Sequence, residues 1–262
     1  MWRLLQQSLE GTSHRRSATP CQDSCEGTAT SPGQESFLVV ACSDGAGSAG
    51  LSQEGSALAC RRFVQVACEA LEREGAEAVK DPERIRDWYR QVRRALEEEA
   101  ARREVPLREL SCTLLTAVVG EHAAVFAQVG DGAIVVREGE GYVPIFWPQA
   151  GEYANTTWFV TSADLEQVLQ VAGREPVDEV ALFTDGLQML ALHFASRSVH
   201  RPFFEPLFTA LRGAANPEDL VVPLRSFLDS PAVNERTDDD KTLVLAVRVG
   251  AGAGRESSPE PG

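Results

Sequence analysis

Continuous apolar runs and helical periodicity divide this chain into a small set of elements. FLVVACSD (37–44) is apolar almost throughout and short enough for a strand buried on both faces. LSQEGSALACRRFVQVACEALERE (51–74) sets Ala57, Leu58, Phe63, Val64, Ala67 and Leu71 at mostly helical spacing and predicts an amphipathic helix. Asp81-Pro82 then supplies an N-cap followed by proline at the first helical position, opening a second helix over PERIRDWYRQVRRALEEEAARRE. Residues 112–146, CTLLTAVVGEHAAVFAQVGDGAIVVREGEGYVPIF, predict consecutive antiparallel strands, with turns at Gly120-Glu121 and Gly130-Asp131-Gly132. WFVTS and EVALFTDG predict further strands. Helices are expected around 186–195 and 201–212, Asn216-Pro217 caps another, and TLVLAVRV (242–249) is a closing strand. Strands, two helices, a run of strands, helices and a last strand indicate an α+β fold rather than a βαβ alternation. One domain over 1–249 is expected, and the tail AGAGRESSPEPG reads as disordered.

Composition narrows the possible partners. The 262 residues are 43% hydrophobic and 24% charged, which excludes wholesale disorder. Lys and Arg number 25 against 39 Asp and Glu, a formal net charge of −14. That balance argues against a nucleic-acid binder, which needs a basic face, and against a polybasic membrane anchor. No apolar run approaches the ~20 residues of a membrane helix, and MWRLLQQSLEG turns polar after Leu5, so a signal-peptide core is not expected. The six cysteines form no CxxC pair, which points to reduced thiols and a cytoplasmic protein.

Several motifs suggest chemistry and fail on context. GAGSAG (45–50) matches the dinucleotide-binding GxGxxG, yet no second strand follows the helix after it. DDDKT (238–242) matches the nucleophile motif of haloacid-dehalogenase-type phosphatases, but the apolar strand comes after the motif instead of before it. No cysteine is followed by an arginine after five intervening residues, no P-loop Gly-Lys-Ser/Thr occurs, and His14, His122, His193 and His200 are scattered. A repeated placement is more informative. Asp44-Gly45, Asp131-Gly132 and Asp185-Gly186 each follow an apolar run, and Asp238-Asp239-Asp240 opens the final one. Turn chemistry explains any one Asp-Gly, since glycine accepts positive φ. Several carboxylates at strand ends can instead converge, and converging carboxylates call for a cation. An all-oxygen set favours Mg²⁺ or Mn²⁺ over zinc. Two such ions can activate a shared water and offset the charge on a phosphate ester.

In order, the chain reads GTSHRRSATPCQD (11–23), VVACSDGAGSAG (39–50), FAQVGDGAIV (126–135), ALFTDGL (181–187) and TDDDKTLVLAV (237–247). This series resembles the metal-dependent PPM (type 2C) serine/threonine protein phosphatases, in particular their compact bacterial branch. The resemblance implies a β-sandwich of two antiparallel sheets flanked by helices on both faces, a four-layer α-β-β-α arrangement. It implies two Mg²⁺ or Mn²⁺ ions, a third weaker site in many members, and direct attack on phosphorus by a metal-bridging water. Asp44 would bridge both ions and Gly45 would offer its carbonyl to one. Asp185 and Asp239 would hold the first ion, Asp23 would reach the second through water, and Asp131 would share the third with Asp185. Asp44, Asp185 and Asp239 would be the catalytic set. Substrates would be phosphoproteins, the targets of a serine/threonine kinase.

The chain also departs from the family pattern. Asp240 stands where the family has Asn, so Asp238 and Asp240 remain alternatives to Asp239. Ala18 replaces the arginine that grips substrate phosphate in many members, leaving His14, Arg15 or Arg16 to substitute. Ala46 follows the first Asp-Gly where many eukaryotic members carry a general-acid histidine, so the leaving group must take its proton from water or elsewhere. Two other functions stay open from sequence: a catalytically weak phosphoprotein-binding regulatory relative, and a haloacid-dehalogenase-type small-molecule phosphatase.

Overall fold

A computed structural model of the chain describes residues 1–32, 35–149 and 157–250. The strands are β1 (Trp2–Leu9), β2 (Ser24–Thr30), β3 (Phe37–Ser43), β4 (Leu114–Val119), β5 (Ala124–Val129), β6 (Ala133–Glu138), β7 (Gly141–Pro144), β8 (Gln170–Arg174), β9 (Glu179–Phe183), β10 (Leu192–His193), β11 (Ser198–Val199) and β12 (Lys241–Arg248). The α-helices are α1 (Thr12–Ser17), α2 (Ser52–Glu74), α3 (Glu77–Lys80), α4 (Ile85–Arg103), α5 (Leu165–Val168), α6 (Gln188–Ala191), α7 (Arg201–Gly213), α8 (Val221–Leu228) and α9 (Pro231–Asn234). One sheet has the order β1-β12-β9-β6-β7 and the other β2-β3-β4-β5-β8. Every strand pairing among the described residues is antiparallel. That excludes the parallel sheets required by both the dinucleotide and the haloacid-dehalogenase readings.

Alternation along β3 shows how the layers form. Phe37, Val39 and Ala41 face α2 and α4, where they join Phe63, Trp88, Tyr89 and Leu96. Leu38, Val40 and Cys42 face the opposite sheet and meet Ile134, Leu182 and Val244. Period-2 geometry sends neighbours to opposite faces, so a strand covered on both sides must be apolar throughout. β9 and β12 obey the same rule: Phe183, Leu243 and Leu245 pack beneath α7 and α8 with Phe204, Phe208 and Leu228. The result is helices, sheet, sheet, helices.

Several expectations shift in the structure. β1, β2 and β8 have no counterpart in the predicted elements; β1 is fully buried only at Trp2, Leu5 and Leu9, so its polar residues hide an edge strand. WFVTS is not a strand, and Val160 instead docks its N–H on the carbonyl of Cys112. The helix expected around 186–195 shrinks to α6, followed by the small β10–β11 hairpin. The helix opened by Asp81-Pro82 begins as one 3₁₀ turn, with the Asp81 carboxylate accepting from the Glu83 N–H at 3.1 Å. The β5–β6 junction at Gly130-Asp131-Gly132 is no hairpin, because β5 and β6 belong to different sheets. The tail over 251–262 lies outside the described residues. Among the described residues no helix is long and apolar enough to cross a membrane.

Candidate metal centre

Strand register brings the acidic residues to one end of the sandwich. Ser24 pairs with Ser43, so Asp23, just before β2, and Asp44, just after β3, emerge side by side. Phe183 pairs with Leu243, so Asp185 leaves β9 beside the segment that enters β12, which carries Asp239 and Asp240. Asp131 sits where the chain crosses from one sheet to the other. Asp44, Asp131 and Asp185 each present a carboxylate oxygen, and these oxygens lie within 4.8 Å of one another. Asp23 stands behind them, buried, while Asp239 lies toward solvent.

The glycines after these aspartates are not there for turn geometry. None of Gly45, Gly132 and Gly186 adopts a positive φ. A Cβ on Gly186 would fall 2.0 Å from the Asp240 carbonyl oxygen, and one on Gly45 would fall 2.7 Å from those of Gln22 and Ser52. Glycine therefore lets the segments bearing the carboxylates touch backbone to backbone.

The electrostatics of the cluster call for a cation. Burial pushes the Asp23 carboxyl up to about 8, against hydrogen bonding from Thr184 and with help from the charge of Asp240. Burial, then the charges of Asp23, Asp185 and Asp131, hold the Asp44 carboxyl well above the usual range. Asp185 is raised to about 7 by burial and by its neighbours Asp131 and Asp239. Burial also raises Asp239. The Asp131 Oδ1 atom is buried with no hydrogen-bond partner among the described residues, although its Oδ2 accepts from Thr157 Oγ1 at 2.6 Å. A buried, unpartnered carboxylate oxygen facing other carboxylates suits a hard divalent ion. The donor set fits the metal that the fold implies.

Supporting side chains hold these groups in place. Thr184 Oγ1 donates to Asp23 Oδ2 at 2.7 Å and itself accepts from the Thr242 N–H at 3.0 Å. The Asp44 N–H donates to Thr113 Oγ1 at 2.8 Å, and Gln188 Nε2 donates to the Asp131 carbonyl. Sequence reasoning missed these residues. Thr184 and Thr242 could have been found as cross-strand neighbours once β9 and β12 were paired, but no pattern in either run announces that pairing.

The acidic triplet before β12 divides its work. Asp238 is exposed and pairs with Arg16 at 3.0 Å. Asp240 is buried; its Oδ1 accepts from the Gly11 N–H at 2.7 Å and its Oδ2 from the Gln22 N–H at 2.6 Å. It staples the N-terminal segment to β12. Asp239 is the member whose charge bears on both Asp44 and Asp185. Of the three basic residues expected at the phosphate, Arg15 is held by Asp229 through two hydrogen bonds of 2.6 and 3.2 Å, and Arg16 by Asp238. His14 lies at the rim, with Nδ1 2.9 Å from Asp240 Oδ2.

A two-sheet sandwich with carboxylates gathered at one end is the arrangement of a metal-dependent phosphatase. Residues 10–228 match the protein phosphatase 2C family, and the chain belongs to that family. It is 39% identical to serine/threonine-protein phosphatase 3 of Escherichia coli K12 over 252 residues, covering 94% of this chain and 98% of that protein. The fold is also that of Staphylococcus aureus Stp1, a serine/threonine phosphatase, with a TM-score of 0.61 at 18% identity over 95% of this chain and 96% of that one. The catalytic domain of the serine/threonine phosphatase PstP, solved with two manganese ions, superposes with a TM-score of 0.60 at 17% identity, covering 94% and 97%.

Proposed function

We propose that this chain hydrolyses phosphoserine and phosphothreonine esters of proteins with two Mg²⁺ or Mn²⁺ ions held at the carboxylate cluster. The observation that carries the reading is the convergence of Asp44, Asp131 and Asp185 within 4.8 Å, with Asp131 Oδ1 unpartnered among the described residues. Asp44, Asp185 and Asp239 would hold the ions directly, joined by the carbonyl of Gly45. Asp23, oriented by Thr184, would act through water, and Asp131 would serve a third, weaker position. Ions bound there supply water activation and charge neutralisation on phosphate. The protein's own contribution is to fix the ligands from rigid strand ends and to let the ion offset a desolvation cost the carboxylates otherwise carry.

The reading treats residues 1–249 as one phosphatase domain acting in the cytoplasm on the targets of a serine/threonine kinase. The retained carboxylate set favours an active enzyme over a regulatory relative. The test is metal-dependent hydrolysis of p-nitrophenyl phosphate and a phosphothreonine peptide, with an EDTA control. Asp44→Asn and Asp185→Asn are each expected to abolish it; activity retained in both would refute the assignment.

A further inference from the structure

The structure places one proton-bearing side chain at the rim of the cluster whose role is unassigned. We propose that His14 is the general acid of the reaction, giving its Nε2 proton to the serine or threonine oxygen as it leaves phosphorus. The inference rests on the phosphatase reading above and supplies the proton donor that Ala46 cannot.

Three contacts clamp the short helix α1 to the segment entering β12. The Ser13 N–H and hydroxyl both donate to the Asp238 carbonyl, at 2.9 and 2.6 Å, and the Gly11 N–H donates to Asp240. The His14 ring is thereby held with Nδ1 2.9 Å from Asp240 Oδ2. The two atoms are in contact without forming an aligned hydrogen bond. Asp240 is buried and its position is set by two backbone N–H groups, so the carboxylate orients the imidazole and not the reverse. The ring remains 19% exposed.

Other candidates for the proton fall away. Guanidinium groups do not deprotonate, and Arg15 and Arg16 are occupied by Asp229 and Asp238. The Lys241 ammonium donates to Asn234 Oδ1 at 2.8 Å and its side chain is buried. Cys21, beside Asp23 and Asp240, has its thiol pushed far above the usual range by burial and by those charges. With Nδ1 against Asp240, the ring nitrogen left to meet an ester oxygen is Nε2. That matches one ester oxygen better than the two-pronged grip a guanidinium gives phosphate.

The step balances without another reactant. The oxygen of water forms its bond to phosphorus as the bond from phosphorus to the substrate Oγ breaks, and the bonding pair stays on Oγ. His14 Nε2 gives Oγ its proton, and the proton released by the water restores the imidazole through solvent.

Leaving-group dependence provides the test. A serine or threonine alkoxide needs protonation, whereas p-nitrophenolate leaves far more readily without it. His14→Ala is expected to lower kcat on a phosphothreonine peptide about 100-fold, in the range of general acid catalysis. The loss on p-nitrophenyl phosphate should be at least about 10-fold smaller, because a good leaving group gains less from the acid. Added imidazole should restore part of the peptide activity. Equal losses on the two substrates, or no rescue by imidazole, would overturn the proposal. Mn²⁺ titration calorimetry on His14→Ala and His14→Gln guards against a merely structural role: collapse of Mn²⁺ affinity in both also overturns it. Wild-type protein that hydrolyses neither substrate with metal overturns the phosphatase reading itself, and this proposal with it.

Discussion

Without a cation the carboxylate cluster should make the fold weaker as pH rises. Asp23, Asp44 and Asp185 all hold their protons more tightly folded than an exposed aspartate would, through burial first and mutual repulsion second. Between the ordinary aspartate range and about 8, the folded chain therefore binds more protons than the unfolded one, and stability must fall with increasing pH. Below the unfolded value both states are protonated and the penalty vanishes. Each proton retained through the window costs about 1.4 kcal/mol per pH unit. At roughly 2–4 °C per kcal/mol for a domain of this size, one such proton lowers Tm by about 3–6 °C per pH unit. Mn²⁺ opposes the trend because it binds the deprotonated set; at a hundred times its Kd it adds about 2.7 kcal/mol. The assay is thermal unfolding from about pH 5 to about pH 8 in EDTA and in saturating Mn²⁺, on wild type and Asp44→Asn. The expected result is a falling Tm in EDTA, a flatter profile in Mn²⁺ and a reduced slope in the variant. Parallel slopes in EDTA and Mn²⁺, or an undiminished slope in Asp44→Asn, would refute the reasoning.

The supporting residues give further tests. Thr184→Val removes the hydroxyl that donates to Asp23; a hydrogen bond to a charged group is worth about 1.5–3 kcal/mol, so calorimetry should show Mn²⁺ affinity falling about 10- to 100-fold, with Thr184→Ser restoring most of it. Gly186→Ala would drive a Cβ into the Asp240 carbonyl; thermal unfolding should register at least about 1–3 kcal/mol of overpacking together with weakened Mn²⁺ binding. Tyr89→Phe deletes a fully buried hydroxyl lying 3.0–3.1 Å from the Leu114 carbonyl, Thr116 Oγ1 and the Ala127 carbonyl. Urea unfolding should show a loss of about 1–2 kcal/mol with unchanged Mn²⁺ affinity, since the site lies elsewhere.

The parts of this molecule legible in the sequence are those in which one physical cause dominates a short segment. β3, β9 and β12 are covered on both faces, so their runs are apolar without interruption and announce themselves. α2 is covered on one side and shows helical spacing. β1 and β2 are less buried than these strands, so polar residues interrupt their patterns and local periodicity cannot separate them from loop. The crossing at Asp131 reads as a hairpin because adjacent strands with a Gly-Asp-Gly turn look alike whether the next strand pairs with the last or joins the other sheet. Only the pairing of β6 with β9 distinguishes the two. In the sequence, Asp-Gly admits both turn chemistry and site chemistry, and turn chemistry gives glycine its place through positive φ. The structure replaces that reason with close approach: Gly45 and Gly186 lie where any Cβ would push apart the segments that carry Asp23, Asp44, Asp185 and Asp239. Glycine after each aspartate is therefore itself part of the site, because carboxylates that repel one another can be brought within reach of one ion only if their backbones touch. The residues that complete the arrangement, Thr184, Thr242 and Asp240, act across strand pairs formed by segments more than fifty positions apart, a separation at which no local pattern carries information.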